Sequence, residues 1–182
     1  MWINIEHILK IYPNAKREVL EFINTFMNYI KPDEDNNNPQ ELLHNLFRSG
    51  YCYHFAHMLK VVFNRGEVCW AAPFSHMVWQ DINGEVYDVE GIYDGEAQYF
   101  IPIRFINAIH PEYVDSYKHL ASNVGEWSME DERESLRILL DIIEQYRTSN
   151  SISDKRDYLY FLNVPDDMID ILSEYEETNL FK

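Results

Sequence analysis

Apolar residues recur every three or four positions in three long segments of the chain, which is the pattern of an amphipathic helix. These segments cover residues 15–31, 51–64 and 128–147. A shorter helix is expected between about residues 40 and 48, because Ser49-Gly50 follows it with residue types that end helices. Two more short helices are expected around residues 111–120 and after Pro165. The pattern predicts helices in both the N-terminal and the C-terminal parts of the chain.

Short extended segments lie between these helices and predict a small sheet. They cover residues 67–72, 75–80, 85–89 and 98–106. The turn signal DING joins the second segment to the third, so these two strands should form an antiparallel hairpin. Pro102 lacks a backbone N–H, which restricts the last strand to an edge or a bulge. Helices, an antiparallel sheet and helices again predict an α+β fold rather than alternating βαβ units.

The predicted hairpin has a definite register. If Gly84 is left-handed in a three-residue loop, the residues that flank the loop oppose each other. His76 then lies opposite Glu90, and Asp88 lies one diagonal step from His76 on the same face. A different register would turn Asp88 to the other face, and Glu90 is the reserve partner for His76. The expected register therefore brings a carboxylate within reach of the imidazole.

Composition places the chain among globular proteins and excludes some functions. Its 182 residues are 46% hydrophobic and carry a formal net charge of −16. Because nucleic-acid binding requires clustered Lys and Arg, no nucleic-acid partner is expected. No apolar run is long enough to span a bilayer and the N-terminus lacks the pattern of a secretory signal, so we expect a cytoplasmic protein without a membrane partner. The two cysteines, Cys52 and Cys69, are then expected to be free thiols.

The length suits one core of ordinary size with a small addition. We expect an α+β domain over residues 1–125, in which a buried helix that carries Cys52 packs on the sheet. Residues 126–182 are expected to form a helical extension that packs on this domain, because the apolar stripe of the 128–147 helix must be covered.

Cys52 is the first candidate for chemistry, because it should lie at the N-terminus of an apolar helix. The partial positive charge there favours the thiolate, which is the nucleophilic form of cysteine. A nucleophilic thiol needs a base, and His76 at the start of a strand can serve as one. Asp88 on the partner strand can then fix the tautomer of the imidazole, as the third member of a triad does. These residues predict a Cys52, His76, Asp88 catalytic triad.

A cysteine at a helix start, a histidine on a strand and an aspartate on the next strand, in that order, resemble the papain-like cysteine superfamily. The resemblance rests on the segments SGYCYHFAHML, SHMVW and GEVYDVEG, and the NlpC/P60-type and transglutaminase-like branches are the nearest in style. It implies a papain-like fold in which Cys52 is the nucleophile, His76 the base and Asp88 the residue that orients it.

Further residues could bind the substrate. Asn45 on the preceding helix and the backbone N–H of Cys52 are the candidate donors to an oxyanion. Tyr51 beside the cysteine and Trp79 near the histidine could line a substrate cleft together with Glu90. Aromatic residues at such spacings more often belong to a core.

Each candidate residue could also have a purely structural role. Cys52 could be a small buried core residue and His76 a core histidine with its hydrogen bonds satisfied, while Asp88 could be a turn or surface acid. Cys52, His54 and His57 could instead share a metal ion, but the helix offers no further ligands on one face, and no metal is assigned.

The sequence therefore predicts a cysteine-dependent hydrolase or acyltransferase that acts on a peptide or amide bond and needs no cofactor. The alternative is a non-catalytic interaction protein on the same fold, whose acidic surface binds a basic protein partner.

Overall fold

Helices precede a five-stranded antiparallel sheet in the computed structural model, which describes residues 2–29, 38–72, 76–109 and 141–149. The predicted α+β class is confirmed. The elements are helices α1 (Ile5–Ile11), α2 (Arg17–Met27), α3 (Pro39–Ser49) and α4 (Cys52–Phe63), strands β1 (Glu67–Ala72), β2 (Met77–Gln80), β3 (Val86–Asp88), β4 (Gly91–Ile92) and β5 (Tyr99–Pro102), and helix α5 (Ile103–Ile109).

The helix ends follow local side-chain chemistry. Helix α3 begins where the Asn38 side chain accepts a hydrogen bond from the Glu41 N–H, with Pro39 in the first turn. Helix α2 ends at Met27, four residues earlier than predicted. The Asn28 side chain donates to the Asn24 carbonyl oxygen at 2.6 Å, and such competition with the backbone is typical of asparagine at helix ends.

The strands are arranged in the order β4-β3-β2-β1-β5, so β5 lies at one edge of the sheet. The predicted edge position of Pro102 is therefore confirmed. The strand predicted over residues 98–106 was too long, because helix α5 begins directly after Pro102. Ile106 is buried and Ile103, three residues before it, is half-buried against the main core, so the apolar residues of this stretch also fit a helical period.

The hairpin between β2 and β3 has the predicted register. Trp79 pairs with Tyr87, and the Asp81 N–H donates to the Glu85 carbonyl oxygen at 2.9 Å. Gly84 has a φ of 89°, which is the positive value that the three-residue loop requires. The carboxylate-bearing end of β3 consequently lies beside the start of β2.

The main core fills the space between the helices and one face of the sheet. Trp79 and Tyr87 point into it from β2 and β3, while Val78 and Val86 belong to a smaller cluster that includes Cys69. The helices contribute further buried side chains to the main core, among them Val19, Leu20, Ile23, Met27, Phe55 and Leu59. This packing holds α4 against β1 and β2 and fixes where its first residue lies.

An ion-pair cluster ties the hairpin to the helices. The Arg65 guanidinium donates to both carboxylate oxygens of Asp81, at 2.7 and 2.9 Å, and the Asp81 side chain is 0% exposed. Arg65 also donates to the half-exposed carboxylate of Glu18 on α2 at 3.0 Å. The buried carboxylate thus has the paired charge that its burial requires.

The chain divides into two units, Met1–Glu126 and Trp127–Lys182. All elements named above belong to the first unit. In the second, residues 141–149 are helical and Ile142 and Ile143 are buried. The rest of the predicted 128–147 helix, the helices predicted at 111–120 and after Pro165, and the expected packing of the extension lie outside the described residues.

No helix within the described ranges is both long and apolar enough to cross a membrane.

Candidate active site

Cys52 is the first residue of α4, directly after the N-cap residue Tyr51, as the sequence predicted. Its side chain is buried, with 3% exposed, and its sulfur accepts a hydrogen bond from the Met77 N–H at 3.4 Å. A helix N-terminus and a backbone donor both stabilise negative charge on the sulfur. The start of helix α4 and the Met77 N–H thus both lie against the Cys52 sulfur.

His76 and Asp88 form a buried hydrogen-bonded pair. His76 Nε2 lies 3.0 Å from Asp88 Oδ2, and the two residues are 4% and 3% exposed. The other carboxylate oxygen, Oδ1, accepts from the Glu90 N–H at 2.8 Å. With both oxygens engaged, the carboxylate is held in one orientation and in turn orients the imidazole.

The electrostatic surroundings of His76 favour its protonated form. Burial by itself would lower the pKa of the imidazole, but hydrogen bonds to Asp88 and Cys52 and the charges of both groups outweigh it and raise this pKa to about 9. His76 is therefore an imidazolium at neutral pH.

The two nitrogens of the His76 ring have different surroundings. Nε2 faces Asp88, whereas Nδ1 is buried and has no hydrogen-bond partner of standard geometry among the residues that the structure describes. The Cys52 thiol is the other group that interacts with the ring, through the electrostatic coupling described above. Cys52 is thus a neighbour of the His76–Asp88 pair at the junction of α4, β2 and β3.

Two of the predicted substrate-binding residues precede the cysteine, Asn45 on α3 and Tyr51 at the N-cap of α4. Tyr51 is 43% exposed, and its ring contacts Phe47 and His54. Asn45 is exposed on α3, and the described residues offer its side chain no hydrogen bond. The roles predicted for Tyr51 and Asn45 stay predictions.

The substrate-binding role predicted for Trp79 is wrong, because this residue is 0% exposed. Its indole packs between Phe63 and Tyr87, and Nε1 donates to the Arg65 carbonyl oxygen at 3.0 Å. The alternation of side chains along β2 turns Trp79 into the main core.

The reserve role of Glu90 as partner of His76 is also wrong. The Glu90 carboxylate is 43% exposed and pairs with His44 and Arg48 on α3, each at 2.9 Å. Glu90 follows the end of β3, in a turn, so its side chain leaves the face that Asp88 shares with His76. Its backbone N–H, not its side chain, supports the His76–Asp88 pair.

The alternative metal site is not assembled. His54 and His57 are exposed on α4, whereas Cys52 is buried. In the ranges that the structure describes, no group of three His, Cys, Asp or Glu side chains could hold a metal ion. Cys69, expected in the core, is 0% exposed there, and burial raises the pKa of its thiol to about 12.

Sequence reasoning missed Tyr93, whose ring stacks on that of His76 with centroids 5.6 Å apart and an interplanar angle of 27°. Strand β4, which precedes Tyr93, was not predicted, because Gly91-Ile92 is too short to show a period.

Comparison with known families identifies the chain. Residues 23–130, more than half of its length, match the model of a family described as Phage YunG-like protein. The chain therefore belongs to the Phage YunG-like protein family. No curated protein and no solved structure matches it significantly. The matched region contains Cys52, His76 and Asp88.

The resemblance to the papain-like cysteine superfamily is wrong, for the NlpC/P60-type and transglutaminase-like branches alike, because the family whose model matches is a different one. That resemblance depended on the order of three residue types, and unrelated folds can carry the same order of catalytic residues. The α+β class does not depend on this resemblance. The expectation of a papain-like fold depended on it and is unconfirmed. Any role for the three residues has to be argued from their own geometry.

Proposed function

We propose that this protein is a cysteine-dependent hydrolase or acyltransferase that acts on a peptide or amide bond. The observation that carries the proposal is the buried His76–Asp88 hydrogen bond, 3.0 Å long, beside a cysteine at a helix N-terminus. A base oriented by a third group next to a thiol is the arrangement that activates a nucleophile. A purely structural histidine does not require a neighbouring thiol and a buried carboxylate whose two oxygens are both hydrogen-bonded.

The proposed reaction has two steps. His76 holds the proton of the Cys52 thiol, and the deprotonated sulfur attacks the carbonyl carbon. The C–N bond then breaks and His76 gives that proton to the leaving amine, which leaves a thioester on Cys52. Water, or a second amine, then gives a proton to His76 and attacks the thioester carbonyl. The product is an acid or a new amide, and the cysteine is restored. Asp88 accepts the hydrogen bond from His76 Nε2 throughout and stabilises the imidazolium.

The remaining parts of the proposal concern the substrate and its surroundings. The backbone N–H of Cys52 and the side chain of Asn45 are the candidate donors to the oxyanion, and Tyr51 borders the same helix end. The substrate is a peptide or amide, and the chemistry needs no cofactor. We also propose a cytoplasmic location, because a catalytic thiol has to stay reduced.

Thiol reactivity tests the proposal on the full chain. The Cys69→Ser variant keeps Cys52 alone, and the Cys52→Ser variant keeps Cys69 alone as a matched control. With iodoacetamide at pH 6, alkylation of Cys52 followed by mass spectrometry should be at least about tenfold faster than that of Cys69 and faster than that of glutathione. Adding Asp88→Asn to the Cys69→Ser background should slow it. Equal rates for Cys52 and Cys69 would refute a nucleophilic role.

A second measurement looks for the covalent intermediate. The Cys69→Ser variant treated with p-nitrophenyl acetate, an activated ester, should gain one acetyl group on Cys52, and hydroxylamine should remove it. Adding His76→Gln should suppress acetylation. An acetyl group found only on lysines or the N-terminus would count against the thioester mechanism.

The rival proposal is an acidic interaction protein, and the net charge of −16 together with the burial of Cys52 favours it. Its partner would be a basic protein, recognised by charge complementarity. The same alkylation experiment separates the two proposals, since an interaction protein has no need of a reactive Cys52.

A further inference from the structure

Tyr93 covers one face of the His76 imidazole. The two ring centroids lie 5.6 Å apart, and the ring planes differ by 27°, so the rings are stacked. Tyr93 follows β4, on the side of β3 away from β2. The contact therefore comes from a different element than the bond to Asp88, which constrains the ring from β3.

We propose that Tyr93 is a positioning residue for His76, which holds the imidazole plane in line with Asp88 and keeps water from one face of the ring. This inference rests on the proposed role of His76 as the base. The hydrogen bond between Nε2 and Asp88 fixes one edge of the imidazole but leaves the ring free to rotate about that bond. The stacked Tyr93 ring removes this freedom.

Tyr93 is itself fixed on several sides. Its N–H donates to the Val86 carbonyl oxygen at 2.9 Å. The Phe100 ring packs edge-on against it at 5.9 Å. A Cβ at Gly95 would overlap the tyrosine ring, 2.8 Å from Cε2. The Tyr93 side chain is thus held between residues of its own loop and the sheet. A side chain that positions another has to be held in this way.

The charges around the stacked pair are consistent with this role. Asp88 and Cys52 act directly on His76, and Arg48, Asp88 and Asp94 act on the tyrosine. An aromatic face attracts a stacked cation, so Tyr93 adds to the stabilisation of the imidazolium that Asp88 provides. Phenylalanine would keep this face, whereas leucine would keep the apolar cover and remove the π-system.

The test measures the pKa of His76 by NMR on the full chain. Tyr93→Phe should leave this pKa unchanged, and Tyr93→Leu should lower it by about half a unit, the size expected for loss of one cation–π contact. Tyr53→Leu is the matched control, because Tyr53 contacts His54 and His57 but is not stacked on His76. This variant should leave the His76 titration unchanged.

Gly95→Ala gives an independent variant that keeps the tyrosine and displaces its ring. It should lower the pKa of His76 in the same direction as Tyr93→Leu and slow the alkylation of Cys52. If neither variant moves the His76 titration while Asp88→Asn does, the inference is overturned and the proposed function stands. If the titration moves as expected but Cys52 is inert in every variant, the proposed function fails and the positioning contact remains.

Discussion

The Nε2 atom of His76 and the Oδ2 atom of Asp88 lie 3.0 Å apart, although the residues are twelve positions apart in the chain. A hairpin with one left-handed glycine brings them together, and the Glu90 N–H holds the second carboxylate oxygen. This short connection makes the pair a local product of one turn. The position of Cys52, in contrast, depends on how α4 packs against the sheet.

Asp88→Asn should lower the pKa of His76 from about 9 towards its ordinary range, since the hydrogen bond that the imidazole donates to the Asp88 carboxylate is among the causes that raise it. NMR titration of the histidine ring protons measures the change. Glu90→Gln is the matched control: it removes the carboxylate that pairs with His44 and Arg48 but keeps the backbone N–H that Asp88 uses. An unchanged His76 pKa in Asp88→Asn would show that the carboxylate does not set the charge of the ring.

His76 should make the free energy of unfolding fall as the pH rises from 6.5 to about 9. Its pKa is about 9 in the folded chain and near 6.5 when unfolded, so the folded state binds the proton more tightly. The stabilisation, up to about 3 kcal/mol, is fully present below pH 6.5 and is lost as the pH rises through 9. Urea unfolding of the wild type and His76→Gln should therefore differ most at pH 6 and least at pH 10. A difference that grows with pH would contradict the raised pKa.

Arg65→Met should destabilise the protein by about 3 kcal/mol, because it leaves the fully buried Asp81 carboxylate without its charged partner. Methionine retains much of the apolar stem of the arginine, so the loss reports mainly on charge. Glu18→Gln removes the other, 53% exposed partner of Arg65 and should cost less than about 1 kcal/mol. Urea unfolding of both variants at pH 7 gives the two values, and similar values would mean that Asp81 does not depend on Arg65.

Gly66→Ala should destabilise the protein far more than Gly84→Ala, although both glycines have positive φ, 71° and 89°. Strain at such a φ costs about 1 to 2 kcal/mol at either position. A Cβ at Gly66 would also overlap the Gln80 carbonyl oxygen and lie 2.7 Å from Trp79 Nε1, whereas the space at Gly84 is open. Thermal unfolding of the two variants, compared with the wild type, measures the difference. Equal losses would imply that the chain near Gly66 can move away from Trp79.

Local chemistry made several features predictable from sequence. The Ser49-Gly50 break placed Cys52 at a helix start, and the turn before Glu85 fixed the register that carries Asp88 to His76. Both depend on backbone preferences of a few adjacent residues, which the sequence displays directly. The family could not be found in this way, because the order of three residue types is shared by unrelated folds.

The sequence by itself determined the α+β class, the location of Cys52 in the first turn of α4 and the pairing of β2 with β3. Only the tertiary structure decided that Trp79 belongs to the core, that Glu90 pairs with α3, and that Tyr93 stacks on His76. These outcomes depend on which side chains from distant segments fill the same space, and a one-dimensional pattern does not contain those contacts. The spacing of apolar residues shows which face of a helix or strand is apolar. The packing of the whole core decides which other segment covers that face.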